Sequence, residues 1–158
     1  MFSEEHLYSI ALRRCNFIGD ANFYKLVKTI GSAKEVWEYS KKSMQKIDGV
    51  GKRISSDIGN TEHLIFAENE LKFCEKNNIQ IKLRHLQDLP ILLKECTDAP
   101  AILYQKGNYD ESLDKLSIIG TRNMTHYGKT FLHDFFSELK TKKLVTVSGL
   151  ALGVDSEV

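Results

Sequence analysis

The sequence predicts an α/β chain, with a small helical domain over residues 1–76 followed by the start of a parallel-sheet domain over residues 77–158. Three features carry that reading. Apolar residues recur at helical spacing up to about residue 76. From Ile79 the pattern switches to the alternation of a strand, Ile79-Gln80-Ile81-Lys82-Leu83. Two apolar runs, 116–120 and 144–147, then flank an amphipathic helical stretch, which is the signature of a strand–helix–strand crossover.

Taken in order, Leu7, Ile10 and Ala11 share one face of the first helix. Asp20 is the expected cap of the second, whose inward face carries Phe23, Leu26, Val27 and Ile30 and which Gly31 ends. Ser32 is placed to cap a short helix bearing Val36, Trp37 and Tyr39, and Ser43 opens a further turn. A longer helix starts at Thr61, with Leu64, Ala67, Leu71 and Cys74 inward, and Asn77-Asn78 stops it. Leu89-Pro90 begins a short turn, and Pro100 precedes a second strand at 101–104. The crossover helix spans about 127–140, with Phe131, Leu132, Phe135, Phe136 and Leu139 inward. After the strand at 144–147, Asp155-Ser156-Glu157 reads as the cap and first turn of another helix. A parallel sheet needs helices on both faces, and about half of one is present, so the chain is expected to be part of a longer protein.

Composition narrows the function. With 22 Lys plus Arg against 21 Asp plus Glu, the net charge is +1, which excludes a protein that coats DNA through bulk positive charge but leaves room for a local patch. Three scattered cysteines without a C-x-x-C argue against a disulfide scaffold or a zinc cluster and fit a reducing cytoplasm. The acidic start Met-Phe-Ser-Glu-Glu-His is unlike a signal peptide, and no apolar run approaches the ~20 residues of a membrane span. A cytoplasmic protein is expected.

Three stretches carry candidate chemistry. The first is Gly120-Thr121-Arg122 with the residues up to Gly128, between a strand and a helix. A glycine there admits a ligand to the backbone, amides at a helix start attract anions, and Arg122 can clamp a phosphate. It is not a G-x-G-x-x-G, because Arg122 holds the second glycine's place. A tight turn with Arg122 in solvent is the plainer alternative. The second is Ser148-Gly149-Leu150-Ala151-Leu152-Gly153-Val154-Asp155, again after a strand. Loops at the carboxyl ends of neighbouring parallel strands line one crevice, so both should face the same extended, phosphate-bearing ligand. The third is Gly49-Val50-Gly51-Lys52-Arg53, shaped like a helix-hairpin-helix or SAM-like turn, in which glycines bring amides to a DNA phosphate. Six basic residues between Lys34 and Arg53 against three acids support a secondary DNA contact at Gly49, Gly51, Lys52 and Arg53, although such hairpins also serve purely for packing. The five histidines lack H-x-x-x-H or H-E-x-x-H spacing, and Ser148 lacks a G-x-S-x-G elbow, so no metal and no catalytic residue is assigned.

Together, Ile118-Ile119-Gly120-Thr121-Arg122, Tyr127-Gly128 and the Ser148–Asp155 motif resemble the core signature of the DNA-processing protein A family (DprA, or Smf). The stretches Leu89-Pro90, Asp98-Ala99-Pro100-Ala101-Ile102-Leu103-Tyr104 and Gly107 resemble its lead-in, and Gly49-Val50-Gly51 its helical N-terminus. The resemblance implies an incomplete Rossmann-like domain and a non-enzymatic recombination mediator without a cofactor. Such a protein protects incoming single-stranded DNA during natural transformation and loads RecA on it, as a homodimer when full-length. It selects Gly120, Thr121, Arg122, Ser148, Gly149, Ala151 and Gly153 as DNA-binding positions. Leu152 departs from the family, where the position is often basic. Two other readings stay open: a nucleotide-hydrolysing enzyme of Rossmann-like type, and a duplex-DNA-binding module built on the hairpin.

Overall fold

A computed structural model of the protein describes residues 2–108 and 110–158. They form two compact units, Met1–Gly107 and Asn108–Val158.

The first unit opens with α1 (Glu4–Arg14), α2 (Asp20–Ile30), α3 (Ala33–Glu38), α4 (Lys41–Met44), α5 (Lys52–Ser55) and α6 (Thr61–Lys76). It continues with β1 (Ile79–Leu83), α7 (Ile91–Lys94) and β2 (Ile102–Lys106). The expected helices form where periodicity and caps agree. Gly31 ends α2 at φ 137°, a conformation that side chains resist. The Ser32 hydroxyl accepts the Glu35 amide at 3.1 Å, and the Asn60 side chain accepts that of Glu62 at 3.0 Å, each satisfying a helix-start donor. Two expected starts shift. The residue capping α2 is Gly19, which leaves the Asp20 carboxylate free to take Arg13 Nε at 3.0 Å and the Ala101 amide at 2.9 Å. The turn assigned to Ser43 begins earlier, after Ser40.

Helix α1 lies between two apolar clusters. Leu12 joins Ile18, Phe23, Leu26, Val36, Met44 and Ile58 in one, while Ile10 and Ala11 join Ala67, Cys74, Ile81 and Leu83 in the other. The second cluster explains where the unit ends. β1 and β2 pair antiparallel, with Ile81 opposite Tyr104 and Leu83 opposite Ile102. Ile81 and Leu83 are buried against α1 and α6, so this hairpin-like pair packs with the helices. The boundary read from the sequence at residue 76 therefore falls inside the first unit, and the strands at 79 and 102 make a sheet of their own.

The second unit holds β3 (Asp114–Ser117), α8 (His126–Leu139), β4 (Leu144–Val147) and α9 (Val154–Glu157). β3 and β4 are parallel, with Asp114 opposite Leu144 and Ser117 opposite Val147, and α8 is the crossover between them. This is the α/β arrangement expected from the apolar runs, with β3 starting two residues earlier than the run at 116–120. The Ile118 amide extends the ladder to the Val147 carbonyl at 3.0 Å, after which Ile119 is 82% exposed. On α8, Leu132 is buried, but Phe131, expected inward, is 55% exposed and stacks on Phe135 at 6.0 Å. Among the described residues no helix is long and apolar enough to cross a membrane.

Candidate nucleic-acid interface

The parallel pairing of β3 and β4 puts the ends of both strands on one edge of the sheet, and with them the two glycine loops. Gly120, Thr121 and Arg122 thus come together with Ser148, Gly149 and Gly153, as the sequence anticipates. What joins them is specific. The Ser148 hydroxyl donates to the Ile118 carbonyl at 2.8 Å, and the Val154 amide donates to the Thr121 carbonyl at 3.1 Å. Asp155 bridges the pair: its Oδ1 accepts the Gly120 amide and its Oδ2 the Gly149 amide, each at 3.2 Å.

Two of the glycines are explained by this closeness. A Cβ on Gly120 would lie 2.5 Å from Val154 Cγ2. Gly153 adopts φ 87°, and a Cβ there would lie 2.2 Å from the Thr121 carbonyl oxygen, so the second loop crosses the first where no side chain fits. The space that glycine leaves open at these positions is filled by the other loop.

The rim of the loops remains to face a ligand. Arg122 is exposed and, among the described residues, enters no hydrogen bond or ion pair. Gly149 is exposed and Ala151 half-buried. Leu150, at φ 54°, is 84% exposed, and Leu152 is 77% exposed. The Thr121 hydroxyl accepts the Asn123 amide at 3.1 Å, which shapes the turn around Arg122. Thr125 accepts the Gly128 amide at 3.1 Å and so caps α8. Lys129 pairs with Glu157 at 2.8 Å, tying α8 to α9. A cationic fork beside exposed apolar side chains on an open rim suits an extended ligand that carries phosphates.

Asp155 is the residue that sequence reasoning misplaced. Its place in the sequence reads as a helix cap, but Gly153 occupies the cap position and Asp155 is buried in the first turn of α9. Its partners stand 35 and 6 residues away, and no local pattern announces them.

The hairpin belongs to the first unit. Val50 is buried in the core there, Gly49 takes φ 71°, and Gly51 caps α5 with open space around its Cα. The helix that follows is the single turn Lys52–Ser55. Lys52 is exposed, whereas the Arg53 guanidinium lies 3.9 Å from the centre of the Phe17 ring.

Cys15, Asp57 and His63 bring a thiol, a carboxylate and an imidazole within 4.8 Å of one another, a donor set of the kind that holds soft divalent cations. Hydrogen bonds account for their closeness. Asp57 Oδ2 takes the Asn16 amide at 2.9 Å, Asn16 Nδ2 at 2.8 Å and His63 Nε2 at 3.0 Å. The thiol donates to the Ala11 carbonyl at 3.5 Å, and burial, with the Asp57 charge, pushes its pKa up to about 12. Through these bonds the trio joins the end of α1 to the turn before α6.

The lead-in strand and the glycine loops fall within a known family pattern, described as DNA recombination-mediator protein A, which matches residues 80–158. Similar proteins agree. The DNA processing protein DprA of Bacillus subtilis (strain 168) is 43% identical over 68 residues, covering 42% of this chain and 23% of that protein. Protein Smf of Synechocystis sp. (strain ATCC 27184 / PCC 6803 / Kazusa) is 26% identical over 166 aligned residues, covering 99% of this chain and 41% of that protein. The chain spans less than half the length of either relative. With the family pattern resting on half of its residues, β4 and both glycine loops included, the chain belongs to the DNA recombination-mediator protein A family, the DprA/Smf proteins.

Proposed function

We propose that the chain contributes the single-stranded-DNA-binding core of a recombination mediator that protects incoming DNA and hands it to RecA, acting by binding rather than turnover. The observation that carries this reading is the open rim formed where the two glycine loops meet, with an exposed Arg122, unpaired among the described residues, and exposed Leu150 and Leu152. Gly120, Thr121, Arg122, Ser148, Gly149, Ala151 and Gly153 lie on or beneath that rim. Homodimerisation and contact with RecA belong to the same reading for the longer protein. A nucleotide-hydrolysing enzyme is less well supported, because Asp155, the acid at the centre of the crevice, is engaged by two amides rather than facing a ligand.

The test is fluorescence anisotropy with labelled oligo-dT and a duplex of equal length. The single strand should bind more tightly, with log affinity falling against log salt by about 0.7 per phosphate contact. Arg122→Ala should weaken binding about equally for all sequences and reduce that slope. Equal affinity for duplex, lost on replacing Lys52 and Arg53 by Ala, would move the function to the hairpin.

A further inference from the structure

Asp155 is buried, yet among the described residues no cation pairs with it. Both of its oxygens are met by main-chain N–H groups, one from each glycine loop, at 3.2 Å. Converging backbone amides at the ends of parallel strands are the means by which this class of sheet receives an anionic ligand. Here the anion in that seat is supplied by the chain itself. We infer that Asp155 is a resident anion: it fills the amide seat between the loops, positions them against each other, and turns ligand phosphates outward to the rim that carries Arg122.

The geometry leaves little choice. With both amides donated to one carboxylate, neither is free for a phosphate oxygen, and a second negative charge entering the crevice would be repelled at close range. The same carboxylate holds Gly149 close, since a Cβ there would lie 3.0 Å from Asp155 Oδ2. Asp155 is therefore a positioning residue that need not touch DNA. The part concerning phosphates rests on the DNA-binding reading; the resident anion does not.

Hydrogen exchange on the unaltered chain gives the first readout. Gly120 and Gly149 are both exposed, so their amides should exchange fast unless the carboxylate holds them. Shared protection of the two is expected, and exchange of both at the rate of an unbonded glycine amide would overturn the inference, whatever the variants do. The second readout is chemical rescue of Asp155→Ala, with formate as the probe and chloride as the control at constant ionic strength. Formate should move the Gly120 and Gly149 amide resonances along one saturation curve; movement of neither, or of only one, counts against a shared seat. Affinity of this variant for oligo-dT should fall about tenfold or more, in keeping with two charge-assisted bonds lost, and formate but not chloride should restore it. Unchanged affinity, or a loss that formate leaves untouched, would remove the positioning role. If the unaltered chain binds no single strand, the DNA reading fails, while exchange and formate still decide whether Asp155 is the resident anion.

Discussion

In the first unit Leu12, Phe23, Leu26 and Met44 are sealed from solvent, while in the second, among the described residues, Leu132 is the buried large apolar side chain and Ile119, Tyr127, Leu150 and Leu152 stand open. The first unit is organised by burial: two clusters share α1, and the strand pair is drawn in by Ile81 and Leu83. The second is organised by fit and hydrogen bonding: glycines that admit a neighbouring loop, a hydroxyl on a carbonyl, a carboxylate on two amides. The difference separates scaffold from site. Apolar packing tolerates volume-conserving change, whereas a site built from close backbone approaches tolerates almost no change at the positions of approach.

The strongest way to break the comparison is Phe23→Ala. Phe23 is fully buried and lies 5.6 Å from the His85 ring, so its truncation should cost about 3–5 kcal/mol in denaturant unfolding of the first unit. Amide protection around Leu132 should survive; equal loss in both units would show that they do not stand apart. Next is a matched pair of glycines. Gly153 and Gly107 have nearly the same φ, 87° and 85°, but a Cβ on Gly107 meets nothing within 4 Å, whereas one on Gly153 strikes the Thr121 carbonyl. Gly107→Ala should cost only the strain of a left-handed alanine, about 1–2 kcal/mol. Gly153→Ala should cost more and should displace the Thr121 and Arg122 amide resonances; equal costs would mean that the loops do not press on each other.

The smallest expected effect depends on pH. The Glu5 carboxylate takes the Ala33 amide at 2.6 Å and pairs with His85 Nε2 at 2.6 Å. Burial pushes the Glu5 pKa up, but the hydrogen bonds from His85, Ala33 and Lys34, with the charge of His85, outweigh it and hold the pKa below its ordinary value of 4.5. A carboxylate lowered on folding adds stability above its unfolded pKa and loses it as pH falls through the folded value. The unaltered chain should therefore exceed Glu5→Gln by about 1–2 kcal/mol near neutral pH, with the gap closing below about pH 4.5 in thermal melts across acid pH. A gap that stays constant through that range would place the effect in packing rather than charge.

Much of this architecture was legible because its causes are local. The period of α1, α2 and α6, the Gly31 stop and the Ser32 cap are written within a few residues of where they act. So is the strand–helix–strand of the second unit, which brings the two loops together. What escaped depends on partners distant in sequence. The alternation at 79–83 announces a strand but not its mate, so the antiparallel pairing with β2 and its membership of the helical unit were hidden. The period of α8 points Phe131 inward, yet two strands cover only part of a 14-residue helix. Asp155 looks like any acid at a helix start until Gly120 is seen beside it.

The polar ties of the first unit also bear on how the chain assembles. Glu5 waits for His85, 80 residues downstream, and Asp20 waits for the Ala101 amide, 81 residues downstream. Loops of that size are slow to close, because their entropy is spent before the contact repays it. During synthesis Arg13 can reach Asp20, and the Ala33 amide Glu5, while the chain is still short. The ties to His85 and Ala101 close only after those residues leave the ribosome, so the polar frame of the first unit is completed late.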